Sequence, residues 1–165
     1  MNKVHFSSER PDWATPVALF QRIEEHFDLK FDVDVCATRE NRKCASYFGP
    51  DHDILPDYRD GRAYPWFPGK NHFMNPPYGR EIGKWVKKAA DESEHCLVVG
   101  LLPARTDTAW WHDHIMGRAA SVDLIRGRIV FEGATFGAPF PSALVLWVPG
   151  GGPPAYFGAF NTRTS

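Results

Sequence analysis

The chain has 165 residues, 43% hydrophobic and 14% aromatic, which is enough apolar surface for one good core and too little for two full domains. A formal net charge of −1 excludes a generally basic nucleic-acid binder, so any contact with DNA has to come from a local basic face. There is no run of about 18 apolar residues to span a membrane, the stretch from Met1 to Arg10 is too polar for a signal peptide, and Cys36, Cys44 and Cys96 lack metal-binding spacing and cannot all pair. We therefore expect a cytoplasmic protein with reduced thiols.

In chain order, residues 1–12 read as a flexible arm, 13–149 as the folded domain and 150–165 as a loosely held tail. Thr15 is placed to cap a helix that begins at Pro16, with Val17, Phe20, Ile23 and Phe27 at helical spacing behind it. Trp13 and Thr15 sit at the helix start, where free N–H groups can meet an anion such as a carboxylate. Residues 31–37, Phe-Asp-Val-Asp-Val-Cys-Ala, alternate like a central strand that ends near Asp34, the edge at which open α/β sheets bind ligands. No Gly-x-Gly loop follows. That absence weakens a dinucleotide reading, because a pyrophosphate needs close backbone approach. It harms S-adenosylmethionine less, since Asp34 suits an amino cation while Cys36 and Ala37 are small enough to let a ligand lie against the backbone. The alternative for Asp34 is a strand-end carboxylate bonded to neighbouring N–H groups.

Residues 44–49 suggest a second short strand, after which Asp53, followed by Ile54 and Leu55, could clamp an adenine ring; Asp51 and Asp57 read as solvated. A strand over residues 71–75 then runs into Asn75-Pro76-Pro77-Tyr78. Each proline fixes φ near about −65° and removes an N–H, and Asn75 before a proline is driven extended. The corner thus offers acceptors without competing donors. Together, the Asn75 side-chain oxygen and the Pro76 carbonyl could take both hydrogens of an exocyclic amine, with Tyr78 as a flat face for its ring. Because an aromatic amine is a weak nucleophile, positioned acceptors plus stacking address its actual handicap. The plain alternative is a proline-rich turn between strand and helix.

Helical spacing follows over residues 79–93, with Arg80, Lys84, Lys87 and Lys88 off the apolar face. The apolar run over 95–102 reads as a buried parallel strand, and 109–118 as a helix capped by Asp107 or Thr108. His112 and His114 are two apart and point to different sides of that helix, so no metal site is expected. Trp110 reads either as a site aromatic or as a core residue. Strands are expected at 121–125, after Arg126-Gly127-Arg128, and at 143–148, and the paired arginines could reach phosphates.

In order, Trp13-Ala14-Thr15-Pro16, Asp32-Val33-Asp34-Val35-Cys36-Ala37, Asn75-Pro76-Pro77-Tyr78, Leu102-Pro103-Ala104-Arg105-Thr106-Asp107-Thr108 with Trp110-Trp111-His112, Gly127-Arg128-Ile129-Val130-Phe131 and Pro141-Ser142 resemble the small phage-type adenine-specific DNA methyltransferases. The resemblance implies a single Rossmann-like domain with a mostly parallel sheet flanked by helices. It also implies S-adenosylmethionine as donor and the N6 amine of adenine in double-stranded DNA as acceptor, the base being flipped out. The resemblance implies further that Asn75, Pro76, Pro77 and Tyr78 hold the base, that Trp13, Thr15, Pro16, Asp34, Cys36, Ala37 and Asp53 hold the cofactor, and that Arg105, Trp110, Arg128 and Ser142 meet DNA. Transfer is expected to be direct and in line, without a cysteine nucleophile. Two alternatives stay open: an enzyme acting on an RNA base or a protein glutamine, and a non-catalytic DNA-binding module.

Overall fold

The computed structural model describes residues 13–151 and 156–162, so the expected arm over 1–12 lies outside the described residues. In chain order the elements are α1 (Val17–Phe27), β1 (Val33–Asp34), β2 (Ser46–Tyr47), a 3-10 turn (Pro56–Arg59), β3 (Asn71–Met74), α2 (Ile82–Glu92), β4 (Leu97–Pro103), α3 (Ala109–His114), β5 (Ser121–Arg126), β6 (Ser142–Trp147) and β7 (Tyr156–Asn161). The strands form one sheet in the order β2-β1-β3-β4-β6-β5-β7.

The helices follow from apolar spacing. On α2, Ile82, Trp85, Val86, Ala89 and Ala90 are buried, an i, i+3, i+4, i+7, i+8 stripe, while Lys87 and Lys88 pair with Asp91 and Glu92 one turn on. Helix α1 buries Leu19, Phe20 and Ile23 and stops at Asp28, whose φ of 50° returns its N–H to the last turn. The Glu24 carboxylate, also buried, accepts from Lys30 at 2.7 Å and from the Phe31 N–H at 3.0 Å. Strand β4 has every residue from Val98 to Pro103 buried, as expected of a strand covered on both faces. At its centre Gly100 leaves room for Trp147 and Met74, which lie 3.1 and 3.2 Å from where a Cβ would stand.

The expectation of a mostly parallel sheet is corrected to a mixed one. Strands β1, β2, β3 and β4 are parallel neighbours, but β6 runs antiparallel to both β4 and β5. No helix lies between β5 and β6, and a parallel return needs a crossover, usually helical. The strand expected around Ile129–Phe131 is also absent: residues 127–141 are irregular, with left-handed turns at Gly127 and Gly133. Nor is the carboxyl end wholly a loose tail, since β7 pairs in parallel register with β5, Ser121 opposite Tyr156 through Arg126 opposite Asn161. Because β1, β3, β4 and β5 all point the same way, the segments after Asp34, Met74, Pro103 and Arg126 meet along one edge of the sheet. That edge carries the candidate site.

Candidate active site

Asn75 follows the last residue of β3 and is held from the other side by the segment before α1. Its Nδ2 donates to the Trp13 carbonyl at 2.6 Å and to Thr15 Oγ1 at 2.8 Å. A backbone carbonyl only accepts, so the amide cannot be turned round. Its Oδ1 therefore faces away from this segment, buried and without a hydrogen-bond partner among the described residues. Such an orphan acceptor costs about 1–3 kcal/mol, and native proteins keep few of them. Thr15, expected to cap α1, makes no side-chain cap bond; the N-cap is Pro16, and the Thr15 hydroxyl serves Asn75 instead.

Trp13, Thr15, Asp34, Cys36, Asn75, Pro76 and Pro77 line one narrow cleft of about 50 Å³. It shares Cys36, Asn41 and Pro77 with a wider chamber of about 440 Å³, walled further by Ala37, Phe48, Gly49, Gly61 and Trp85. Two glycines press the chamber wall against the end of β1: a Cβ on Gly49 would fall 1.7 Å from the Ala37 carbonyl oxygen, and one on Gly61 2.2 Å from that of Val35. Asp34 is 4% exposed, and its Oδ2 accepts the Lys43 N–H at 3.1 Å. Burial raises its carboxyl from 3.8 to about 6, against the lowering effect of N–H groups from Lys43 and Cys36 and of the Lys43 charge. Burial, and secondly the Asp34 charge, push the Cys36 thiol well up, which keeps it a neutral thiol rather than a nucleophile.

Asp53, Pro16, Tyr78 and Ser142 are placed differently from expectation. Asp53 lines neither cavity; its carboxylate lies on the surface, 62% exposed, paired with Arg39. Pro16 likewise lines neither cavity, since it opens α1. The Tyr78 ring is 7% exposed, its hydroxyl donates to the Leu101 carbonyl at 2.9 Å, and Phe140 meets the ring edge-on at 5.4 Å. Tyr78 thus ties the corner to β4 rather than presenting a bare face. Ser142, opposite Pro103 at the start of β6, is 3% exposed and does not offer its hydroxyl to the surface. Sequence reading missed Asn41, Lys43, Gly61 and Trp85. Lys43 acts at two points, because its N–H serves Asp34 while its Nζ binds the Asn41 carbonyl at 2.9 Å and Glu132 at 3.1 Å. Nothing in the Arg-Lys run around it distinguishes Lys43 from a solvated cation.

The 13–15 segment is gripped from the β5–β6 loop as well. Trp13 lies 5.3 Å from Phe131 and 5.4 Å from Phe140 between ring centroids, and the Glu132 N–H donates to the Ala14 carbonyl at 2.9 Å. Among the described residues no group of three His, Cys, Asp or Glu could hold a metal, and no helix is long and apolar enough to cross a membrane.

The family model described as DNA N-6-adenine-methyltransferase (Dam) matches residues 4–148. The chain belongs to that family. A DNA N-6-adenine-methyltransferase of Haemophilus phage HP1 (strain HP1c1) is 31% identical over 149 residues, covering 86% of this chain and 81% of the relative. Another, of Escherichia phage T1, is 32% identical over 100 residues, 60% of this chain but 38% of that longer protein.

For a DNA N-6-adenine-methyltransferase the charges around the corner matter. The lysines of α2 are spoken for, Lys84 by Glu81, Lys87 by Asp91 and Lys88 by Glu92. By contrast, among the described residues no carboxylate pairs with Arg80, Arg105, Arg126 or Arg128. Arg80 follows the corner, Arg105 follows β4, and Arg126 and Arg128 stand at the end of β5, so all four gather at the same edge. Arg80 lies just beyond the corner, as its place in the sequence implies, but was not among the expected DNA contacts. Trp110 packs over α2 instead, its Cβ 3.3 Å from where a Cβ on Gly83 would stand.

Proposed function

We propose that the chain transfers a methyl group from S-adenosylmethionine to the N6 amine of adenine in double-stranded DNA, directly and in line. The observation that carries this reading is the buried Oδ1 of Asn75, without a partner among the described residues and held in place by Trp13 and Thr15. An amine hydrogen satisfies that oxygen, and the Pro76 carbonyl beside it takes the second. Two such bonds draw the nitrogen lone pair out of the purine ring, where it is otherwise delocalised, and aim it across the cleft. The methylated amine is acidic enough to lose its proton without a strong general base.

The donor set fits the cofactor. Asp34 supplies a buried carboxylate for an amino cation, and a ligand cation there offsets the penalty of its burial. The wider chamber, with the Gly49 and Gly61 backbones drawn close and Trp85 on its wall, has room for a nucleoside. When bound, S-adenosylmethionine supplies a methyl group on a positively charged sulfur. Thr15 and Trp13 keep the acceptor oxygen oriented, Cys36 and Ala37 keep the floor small, and Tyr78 fixes the corner to β4 through Leu101. Arg80, Arg105, Arg126 and Arg128, which pair with no carboxylate among the described residues, hold phosphates, which supplies locally what a net charge of −1 denies globally.

The test is incubation of the protein with methyl-labelled S-adenosylmethionine and, separately, unmethylated duplex DNA, RNA and protein. Digestion of the DNA to nucleosides should yield labelled N6-methyldeoxyadenosine. Label only in RNA or protein, or label on cytosine, overturns the reading.

A further inference from the structure

We propose that Phe136 is a wedge that enters the duplex at the position vacated by the target adenine. This rests on the reading of the chain as a DNA adenine methyltransferase. Phe136 is 81% exposed at the tip of the β5–β6 loop, where an aromatic ring gains nothing from the protein's own core. Its loop is not a loose one. Ile129, Phe131 and Ala138 are buried at 4, 2 and 2%, the Ala138 N–H donates to the Ile129 carbonyl at 2.8 Å, and the Ala134 N–H to that of Phe131 at 3.1 Å. The two limbs also pass closely enough that a Cβ on Gly137 would lie 2.7 Å from the Arg128 Cβ. A rigid base thus carries an exposed ring.

That base is bolted to the catalytic corner. Phe131 and Phe140 contact both Trp13, whose carbonyl holds Asn75, and Tyr78 of the corner itself. Glu132 adds bonds to Ala14 and Lys43. Phe136 therefore has a fixed relation to the site that receives the base, and it leaves the same sheet edge. Arg126 and Arg128, without carboxylate partners among the described residues, stand at the foot of the loop where the flanking phosphates of an engaged duplex would run. Extruding a base breaks two stacking contacts and leaves a gap that water fills poorly. An inserted aromatic ring restacks the gap and delays the return of the base.

The experiment compares wild type, Phe136→Ala and Phe136→Trp on oligonucleotides carrying the methylation site mapped in modified DNA. One duplex has the target adenine paired; the other has an abasic residue opposite it, so that pairing no longer holds the base in. On the paired duplex Phe136→Ala should lose roughly 10- to 100-fold in kcat/KM, the worth of one stacked ring. Phe136→Trp should stay close to wild type, and the abasic duplex should restore most of the Phe136→Ala loss. Retained activity of Phe136→Ala on the paired duplex, or the same loss on both duplexes, overturns the wedge while leaving methylation itself intact. Wild-type protein that methylates no DNA overturns the functional reading and the wedge with it.

Discussion

Asp34 gives the account its sharpest thermodynamic consequence. Burial raises its carboxyl from 3.8 to about 6, so the folded chain binds this proton more tightly than the unfolded chain does. The stability this lends is fully present below pH 3.8 and is lost as pH rises through 6. Above that window the buried carboxylate is ionised in both states and costs the fold about 3 kcal/mol, at about 1.4 kcal/mol per tenfold change in proton affinity. Asp34→Asn removes the ionisation but keeps the shape. Without ligand, the variant should be more stable than the parent near pH 7.5, by up to about 3 kcal/mol, with the advantage vanishing near pH 4. The gain is less than the full amount because a neutral amide oxygen is a weaker acceptor than the carboxylate for the Lys43 and Cys36 N–H groups. Urea unfolding of both proteins, followed by circular dichroism in small pH steps, measures the difference directly. Parallel profiles from pH 4 to 8, or a variant less stable by a constant amount, would refute the reasoning. Binding should move the other way: the variant should hold S-adenosylmethionine more weakly, and the parent's affinity should fall as pH drops below about 6.

Thr15→Val keeps the volume and deletes an acceptor of Asn75, leaving only the Trp13 carbonyl to hold the amide. The loss of one buried hydrogen bond predicts roughly a tenfold fall in kcat with a smaller change in cofactor affinity, and Thr15→Ser should restore it; steady-state kinetics with DNA and cofactor varied separately checks both. Replacing Arg80 or Arg128 by Ala should weaken DNA binding across all sequences and reduce the slope of log affinity against log salt by about one each, as read by fluorescence anisotropy. Gly61→Ala drives a methyl group toward the Val35 carbonyl, 2.2 Å from the ideal Cβ, and should destabilise the fold by about 1–3 kcal/mol, visible as a lower urea midpoint.

Much of the edge that carries the site was legible because its residues are local in sequence. The strand ending before Asn75, the buried run of β4 and the apolar stripe of α2 announce themselves by period alone, and the structure puts them at 71–74, 97–103 and 82–92. Asp34 and Asn75, 41 positions apart by number, reach one cleft because β1 and β3 are parallel neighbours. What the sequence concealed depends on partners far along the chain. Thr15 looks like a helix cap until its hydroxyl is found on Asn75, 60 residues away. Tyr78 looks like a free ring until Phe140 and Leu101 claim it. Ile129 and Phe131 have the composition of a strand, but a loop between two left-handed glycines uses them as anchors. Strand β7 hides behind a glycine- and proline-rich stretch that reads as the end of regular structure, and only its register with β5 makes it a strand.

The most direct measurement of the central claim is single-turnover methyl transfer by Asn75→Ala, set beside calorimetric binding of S-adenosylmethionine to the same protein. If the amide oxygen acts on the adenine amine as proposed, transfer should fall roughly 10²- to 10³-fold while cofactor affinity changes little. Equal losses in both, or transfer at the parent's rate, would contradict the assignment of that oxygen to the nucleophile.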